Sequence, residues 1–328
     1  MSATLRPAGP RVGASRTAAL RALALVAAAA AFYLLPALIG GRVLSACVVL
    51  AIFAVMAYGL DLVLSDLGEV SLAHTVFFAA GAYAAGLLAT RAGWGGWGTL
   101  LGALAASALI AAFLGLITLR LREFVFSLVT YAAAVVAAAI AHNWDFLGGS
   151  DGIVGVPPLD LSIGPLRFTA GTDAELWPVA FALLLATLYL VARFRRSRLG
   201  TRAVMSHLNP RLATMSGVDV GRVRLAVLVL SAPVSGAAGW LYAYQRAYVG
   251  PDLFETYFLV LMLTAVVIIG RRLLLGPLLG TALILGQERF LSFGGDVDAI
   301  VLGSTLIVVL AFLPGGLVGL WRQVLARG

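Results

Sequence analysis

Long apolar runs, separated by short clusters of arginine, glycine and acidic residues, follow one another along nearly the whole chain. They cover residues 18–39, 43–64, 70–90, 97–119, 123–141, 177–192, 225–243, 257–270, 273–288 and 299–320. The runs are continuous rather than alternating. They therefore predict membrane-spanning helices of about 20 residues and exclude an outer-membrane barrel. The eighth and ninth runs are short and separated only by Arg271 and Arg272. They read either as a re-entrant pair or as helices buried among neighbours. Short connections elsewhere predict an all-α polytopic membrane protein, a compact bundle of about ten transmembrane helices. The expected layout is a basic tail over 1–17 and one transmembrane domain over 18–328, with long connections at 142–176 and 193–224.

Charge orients this bundle. With the N-terminus inside and sides alternating, only Arg42, Arg91, Arg167, Arg246 and Arg289 of the 23 basic residues fall outside. Arginine gathers on the cytoplasmic side of membrane proteins, so the split predicts that both termini are inside. Loop 142–176 is then extracytoplasmic and loop 193–224 cytoplasmic. Topology thus accounts for the net charge of +8 without a nucleic-acid partner. Arg6, Arg11, Arg16 and Arg21 precede the first run, which is longer than a signal-peptide core, so an uncleaved anchor is expected.

Composition removes several chemistries. Of the 328 residues 61% are hydrophobic and 12% charged, about half the charge of a soluble domain. No lysine occurs, so no P-loop can form, and ATP used here is bound by another chain. Cys47 is the single cysteine, which excludes an intrachain disulfide. His74, His142 and His207 show no zinc-protease spacing. No catalytic site, metal site or cofactor is expected in this chain.

The most informative segment is the 193–224 connection. Val204, Leu208, Leu212 and Met215 form an apolar stripe at helical spacing. Asn209 and Pro210 fit an N-cap followed by proline at the first helical position, and Gly217 fits a C′ glycine. The spacing predicts a short helix over Pro210–Ser216 that either lies on the membrane surface or docks a cytoplasmic partner. In the third run Ser71, His74 and Thr75 share a predicted helix face, to be read as interhelical hydrogen bonding or substrate contact; Thr130 is a candidate of the same kind. Gly81 with Ala85, Ala82 with Gly86, and Ser231, Ser235 and Gly239 are close-packing patterns, as is GPLLG over 276–280. Asp61 and Glu69 read either as functional intramembrane acids or, the preferred reading, as acids near the cytoplasmic boundary that pair with Arg120 or Arg122. Pro233 predicts a kink in the seventh run.

Four stretches resemble a known family, the LivM-type permeases of ABC importers for branched-chain amino acids. They are GLDLVLSDLGEVSLAHTVFFAAGAYAAGLL (59–88), the FVFSLVTYA segment with NWDFLGGSDGIVGVP (143–157), SRLGTRAVMSHLNPRLATMSGVDVGRVRLAVLVLSAPVSGAAGWLYA (197–243), and IIGRRLLLGPLLG (268–280). The resemblance implies a permease subunit in a bacterial inner membrane. Its implied partners are a second permease subunit, two ABC ATPase subunits and a periplasmic or extracellular substrate-binding protein. It implies that Gly200, Asn209, Pro210, Leu212 and Gly217 belong to an ATPase coupling loop. The chain departs from the family where an R-E-x-E pattern is usual, having His207, Leu208, Asn209 and Pro210, and where Asp61 replaces an uncharged polar residue. The competing reading, a stand-alone ion-coupled transporter of small metabolites, would call for acids at mid-membrane depth, and the acids here cluster in loops and at run ends.

Overall fold

The computed structural model describes residues 27, 29–34, 36–119, 121, 123–162, 164–165, 167–290, 296–312 and 316–319. The basic tail, Arg120, Arg122 and parts of the first and last expected spans lie outside the described residues.

Every long apolar run within the described residues is helical. The order is α1 (Ala29–Ile39), α2 (Gly41–Asp61), α3 (His74–Thr90), α4 (Gly96–Thr118), α5 (Glu123–Asn143), α6 (Asp173–Arg195), α7 (Arg198–Leu208), α8 (Pro210–Met215), α9 (Val220–Arg246), α10 (Thr256–Ile269), α11 (Gly276–Phe290) and α12 (Asp296–Phe312). Five stretches are long and apolar enough to cross a membrane: Gly41–Leu67, Gly96–Thr118, Phe124–Asn143, Asp173–Arg195 and Val220–Arg246. Shorter apolar helices at Ala29–Ile39, His74–Thr90, Thr256–Ile269, Gly276–Gln287 and Ile300–Val309 accompany them.

The axis of the bundle is α9, which packs against α2, α3 and α4 and runs unbroken through Pro233. Its approach to α3 is set by glycines. A Cβ built on Gly81 would lie 2.1 Å from the Gly236 carbonyl oxygen, and one on Gly239 would lie 1.9 Å from the Phe78 oxygen. Lipid gives apolar helices little reason to associate, so this backbone contact is what holds α3 on α9. The sequence pattern at Gly81 and Gly239 thus marks a real crossing. In GPLLG, likewise, a Cβ on Gly280 would meet the Ala265 oxygen at 1.9 Å, where α11 crosses α10.

From Ala51 to Leu67 helix α2 and its continuation are buried on every side. From Ala51 to Leu60 the helix is apolar or aromatic on nearly every side, as such a central position favours. By contrast α4 exposes Leu101, Leu109, Phe113, Leu116 and Ile117, and α5 exposes Phe124, Leu128, Val135 and Val136. Those two helices contribute much of the apolar outer surface among the described residues. Some polar side chains inside the bundle pair with one another: Trp240 Nε1 donates to Thr99 Oγ1 at 3.0 Å, and Thr99 Oγ1 lies 2.8 Å from Tyr244 Oη.

The 142–176 connection carries little helix, as its glycines and prolines predict. It adds two antiparallel pairs: β1 (Ile153–Val154) with β4 (Tyr248–Val249), and β2 (Leu159–Asp160) with β3 (Thr169–Ala170). The first pair staples this loop onto the segment after α9. Gly152, at φ 67°, lies so close to that segment that a Cβ would meet the Val249 oxygen at 2.4 Å.

Candidate functional site

Charged side chains gather at one end of the bundle, where α2 stops being an ordinary helix. From Leu62 to Leu67 it widens into a π-helical turn, which ends at Gly68 in the left-handed region (φ 71°). Residues five apart lie about 140° apart around an α-helix. An i→i+5 hydrogen-bond register stacks them instead. Asp61 and Asp66 are five apart, and both reach one guanidinium. Arg195 donates from Nη2 to Asp61 Oδ2 at 2.6 Å and from Nε to Asp66 Oδ2 at 3.2 Å. Ser65 donates to Asp61 Oδ1 at 2.5 Å. Arg272 adds a second cation, with its Nε 3.2 Å from Asp66 Oδ1, and its backbone N–H donates to Ser65 Oγ at 3.2 Å. One turn further, Glu69 pairs with Arg224 of α9, whose guanidinium also lies over the Phe126 ring.

These pairs add to the sequence reading. Asp61 is 1% exposed, enclosed by protein. The pairs Asp61 and Glu69 make go to Arg195 and Arg224, while the expected partners Arg120 and Arg122 lie outside the described residues. Sequence reasoning missed Asp66 altogether. Its spacing from Asp61 looks wrong for a shared face until the turn is π-helical.

The polar candidates of the third run are placed differently from expectation. Helix α3 starts at His74, so Ser71 precedes it and does not share a helix face with His74 and Thr75. The cause is the break at Gly68, which leaves residues 68–71 outside any helix before a turn at Leu72 and Ala73. All three side chains are buried. His74 Nε2 lies 3.2 Å from Ser231 Oγ, so this polar contact ties α3 to α9. Thr130 of α5 accepts the Leu72 N–H at 3.1 Å, and Ser127 donates to the Val70 oxygen at 2.8 Å. Thr130 therefore satisfies the backbone where α3 begins.

The 193–224 connection forms two short helices at this same end. Asn209 Oδ1 accepts the Leu212 N–H at 3.0 Å, Pro210 opens α8, and Gly217 follows it at φ 78°. Leu208, Leu212 and Met215 are 77%, 59% and 85% exposed, while Ala213 is buried. Gly200 sits in the first turn of α7, where a Cβ would lie 2.3 Å from the Phe194 oxygen. At the other end of α7, His207 lies directly on Gly68. A cavity of about 250 Å³ separates this contact from α9, lined among others by Glu69, Ser206, Pro210 and Arg224.

The opposite end holds an open cavity of about 580 Å³ between α5 and the turn Pro251–Phe254, lined by His142, Asn143, Ser150, Tyr248, Asp252 and Glu255 among others. Burial pushes the Tyr248 phenol above its ordinary value, and Asp252 and Asp151 add to the rise. Among the described residues no group of three or more His, Cys, Asp or Glu side chains could hold a metal ion.

Long apolar helices, polar contacts buried between them and a short helix pair held out at one end define an integral membrane protein. Comparison with known proteins gives the particular family. Residues 42–320 match the family described as the permease component of the branched-chain amino acid transport system, and the chain belongs to it. It is a membrane permease subunit of an ABC importer, a transport subunit rather than a catalytic enzyme. The chain is 26% identical over 297 residues to the high-affinity branched-chain amino acid transport system permease protein LivM of Salmonella typhimurium and to that of Escherichia coli. Each of these alignments covers 84% of this chain and 69% of the relative. A probable branched-chain amino acid transport permease protein LivH of Methanocaldococcus jannaschii is 28% identical over 158 residues, 43% of this chain and 47% of that protein. No solved structure matches the chain.

Proposed function

We propose that this subunit moves branched-chain or related small amino acids across a bacterial inner membrane. They are handed over by an extracytoplasmic binding protein, and two separate ABC ATPases power the transfer. A second permease subunit completes the pathway. The chain crosses the membrane ten times with both termini inside, which puts the 193–224 connection in the cytoplasm. The positive-inside split of the arginines supports this orientation. The clustering of Arg195, Arg224 and Arg272 at the same end as α7 and α8 supports it further.

One observation carries the coupling role: Leu208, Leu212 and Met215 are apolar and exposed on a capped helix pair beyond the bundle. Three such side chains in a row fit a groove on a partner protein. Gly200, Asn209, Pro210 and Gly217 shape the pair, and Leu212 is its contact. Ser71, His74, Thr75 and Thr130 are then packing residues that close the bundle around the start of α3, rather than substrate ligands.

Two measurements test this. A tag after Arg327 is expected to be reached only from the cytoplasm, and periplasmic labelling would overturn the topology. Leu212→Asp with Met215→Asp is expected to leave the membrane level of the subunit unchanged and to abolish recovery of the ATPases with it. Gly217→Val is expected to act in the same direction, because a β-branched residue is strained at φ 78°. ATPase recovery equal to wild type in the Leu212/Met215 variant would remove α8 as the docking element.

A further inference from the structure

The π-helical turn and the docking loop are joined at two points, and both joints are tight. The first is Arg195, the last residue of α6, with only Arg196 and Ser197 between it and α7. The contact of Gly200 with the Phe194 carbonyl leaves no room for α7 to tilt without carrying the end of α6 along. Arg195 is in turn bound to Asp61 before the π turn and to Asp66 within it, through two different nitrogens of its fork. The second joint is His207, in the last turn of α7, whose ring rests on Gly68 where the π turn ends. The end of α6 and the last turn of α7 thus hold Asp61–Gly68 at two points. The turn itself has a stacked register that an ordinary helix would lose, because Asp61 and Asp66 share one cation only while the i→i+5 pattern lasts. Arg272 holds the outer side of Asp66 from a left-handed backbone (φ 61°), a conformation that a bulky side chain adopts at a cost. Beyond the turn lies the start of α3, which Thr130 and the His74–Ser231 contact tie into the bundle.

We propose that the π-helical turn Leu62–Leu67 is the element through which the docking loop acts on the membrane bundle, with Arg195 as its positioning residue on Asp61 and Asp66. Movement of α7 and α8 pulls Arg195 across the two carboxylates and changes the register of the turn, which shifts the beginning of α3 against α9. This inference rests on the coupling role given to α8.

The test uses the assembled importer in liposomes, with its ATPases and binding protein. In the pair Asp61→Asn with Arg195→Gln, one charge of each sign is removed and Asp66 keeps Arg272, so no buried charge is left alone. The expected result is normal membrane level and ATPase recovery, ATP hydrolysis that no longer rises with the binding protein, and uptake lowered at least tenfold. Arg195→Lys keeps the charge but cannot span two carboxylates as a fork does. It is expected to give the same uncoupling in weaker form, with uptake lowered about threefold. Uptake per ATP within twofold of wild type in both variants overturns the proposal. So does loss of protein level in both, which would make the cluster a folding element. So does loss of ATPase recovery, which would place the defect at docking. The docking reading fails separately if the Leu212/Met215 variant still recovers the ATPases, whatever the Arg195 variants do.

Discussion

Gly81→Leu is expected to leave no folded subunit in the membrane. The obstacle to a side chain at Gly81 is backbone: the Gly236 carbonyl oxygen would lie 2.1 Å from the new Cβ, with the Gly236 Cα and carbonyl carbon at 2.6 Å. No rotamer relieves a clash that starts at Cβ, so α3 must move off α9. That separation breaks the crossing at Gly239 and Phe78 as well, because both lie on the same two helices. Overpacking in a core costs about 1–3 kcal/mol when side chains can shift; with rigid backbone as the obstacle the cost exceeds that range. Gly81→Ala should therefore also lower the level of the protein, though less. Gly303 is the internal control. Among the described residues no atom beyond its own stretch of helix lies within 4 Å of a Cβ built there, and alanine gains up to about 1 kcal/mol of helix propensity. Membrane level and melting in detergent are the measurements. A Gly81→Leu protein as abundant and heat-resistant as the Gly303→Ala protein would sink this account of the α3–α9 crossing.

Arg224→Ala is the second change expected to be severe. The Arg224 and Glu69 side chains are 9% and 15% exposed. Removing the cation breaks an ion pair that is largely out of water, at a cost of about 3–5 kcal/mol. Part of the loss is packing, since the Arg224 guanidinium also lies over Phe126. Replacing both partners, Glu69→Gln with Arg224→Met, removes both charges of the pair and should recover most of that stability. Thermal unfolding of the solubilised subunit distinguishes the two. If the single and double variants melt together, the pair is not what stabilises this junction.

The helices themselves were legible from the apolar runs, because a span in lipid has to satisfy its backbone internally and be apolar over about 20 residues. The expected span 97–119 is Gly96–Thr118 in the structure, and 257–270 is Thr256–Ile269. The cap of α8 was legible for a similar reason: Asn209, Pro210 and Gly217 act on the backbone within a few residues of themselves. So was the absence of a P-loop, which is a matter of residue type alone.

What the sequence could not reveal depends on how distant segments meet. The partner of Asp61 lies 134 residues away on Arg195, and that of Glu69 on Arg224. No periodicity within one helix encodes such pairs. Asp66 was invisible because its role needs a π-helical register, and a sequence read with a period of 3.6 puts it on the wrong side of the helix. Ser71 was misplaced because the same turn ends at Gly68 and delays α3 until His74. Local backbone chemistry and burial in lipid were thus written into the chain residue by residue. The charge cluster and the break before α3 arise only when α2, α6, α7 and α9 are packed together, since a buried carboxylate takes whichever cation the fold brings within reach.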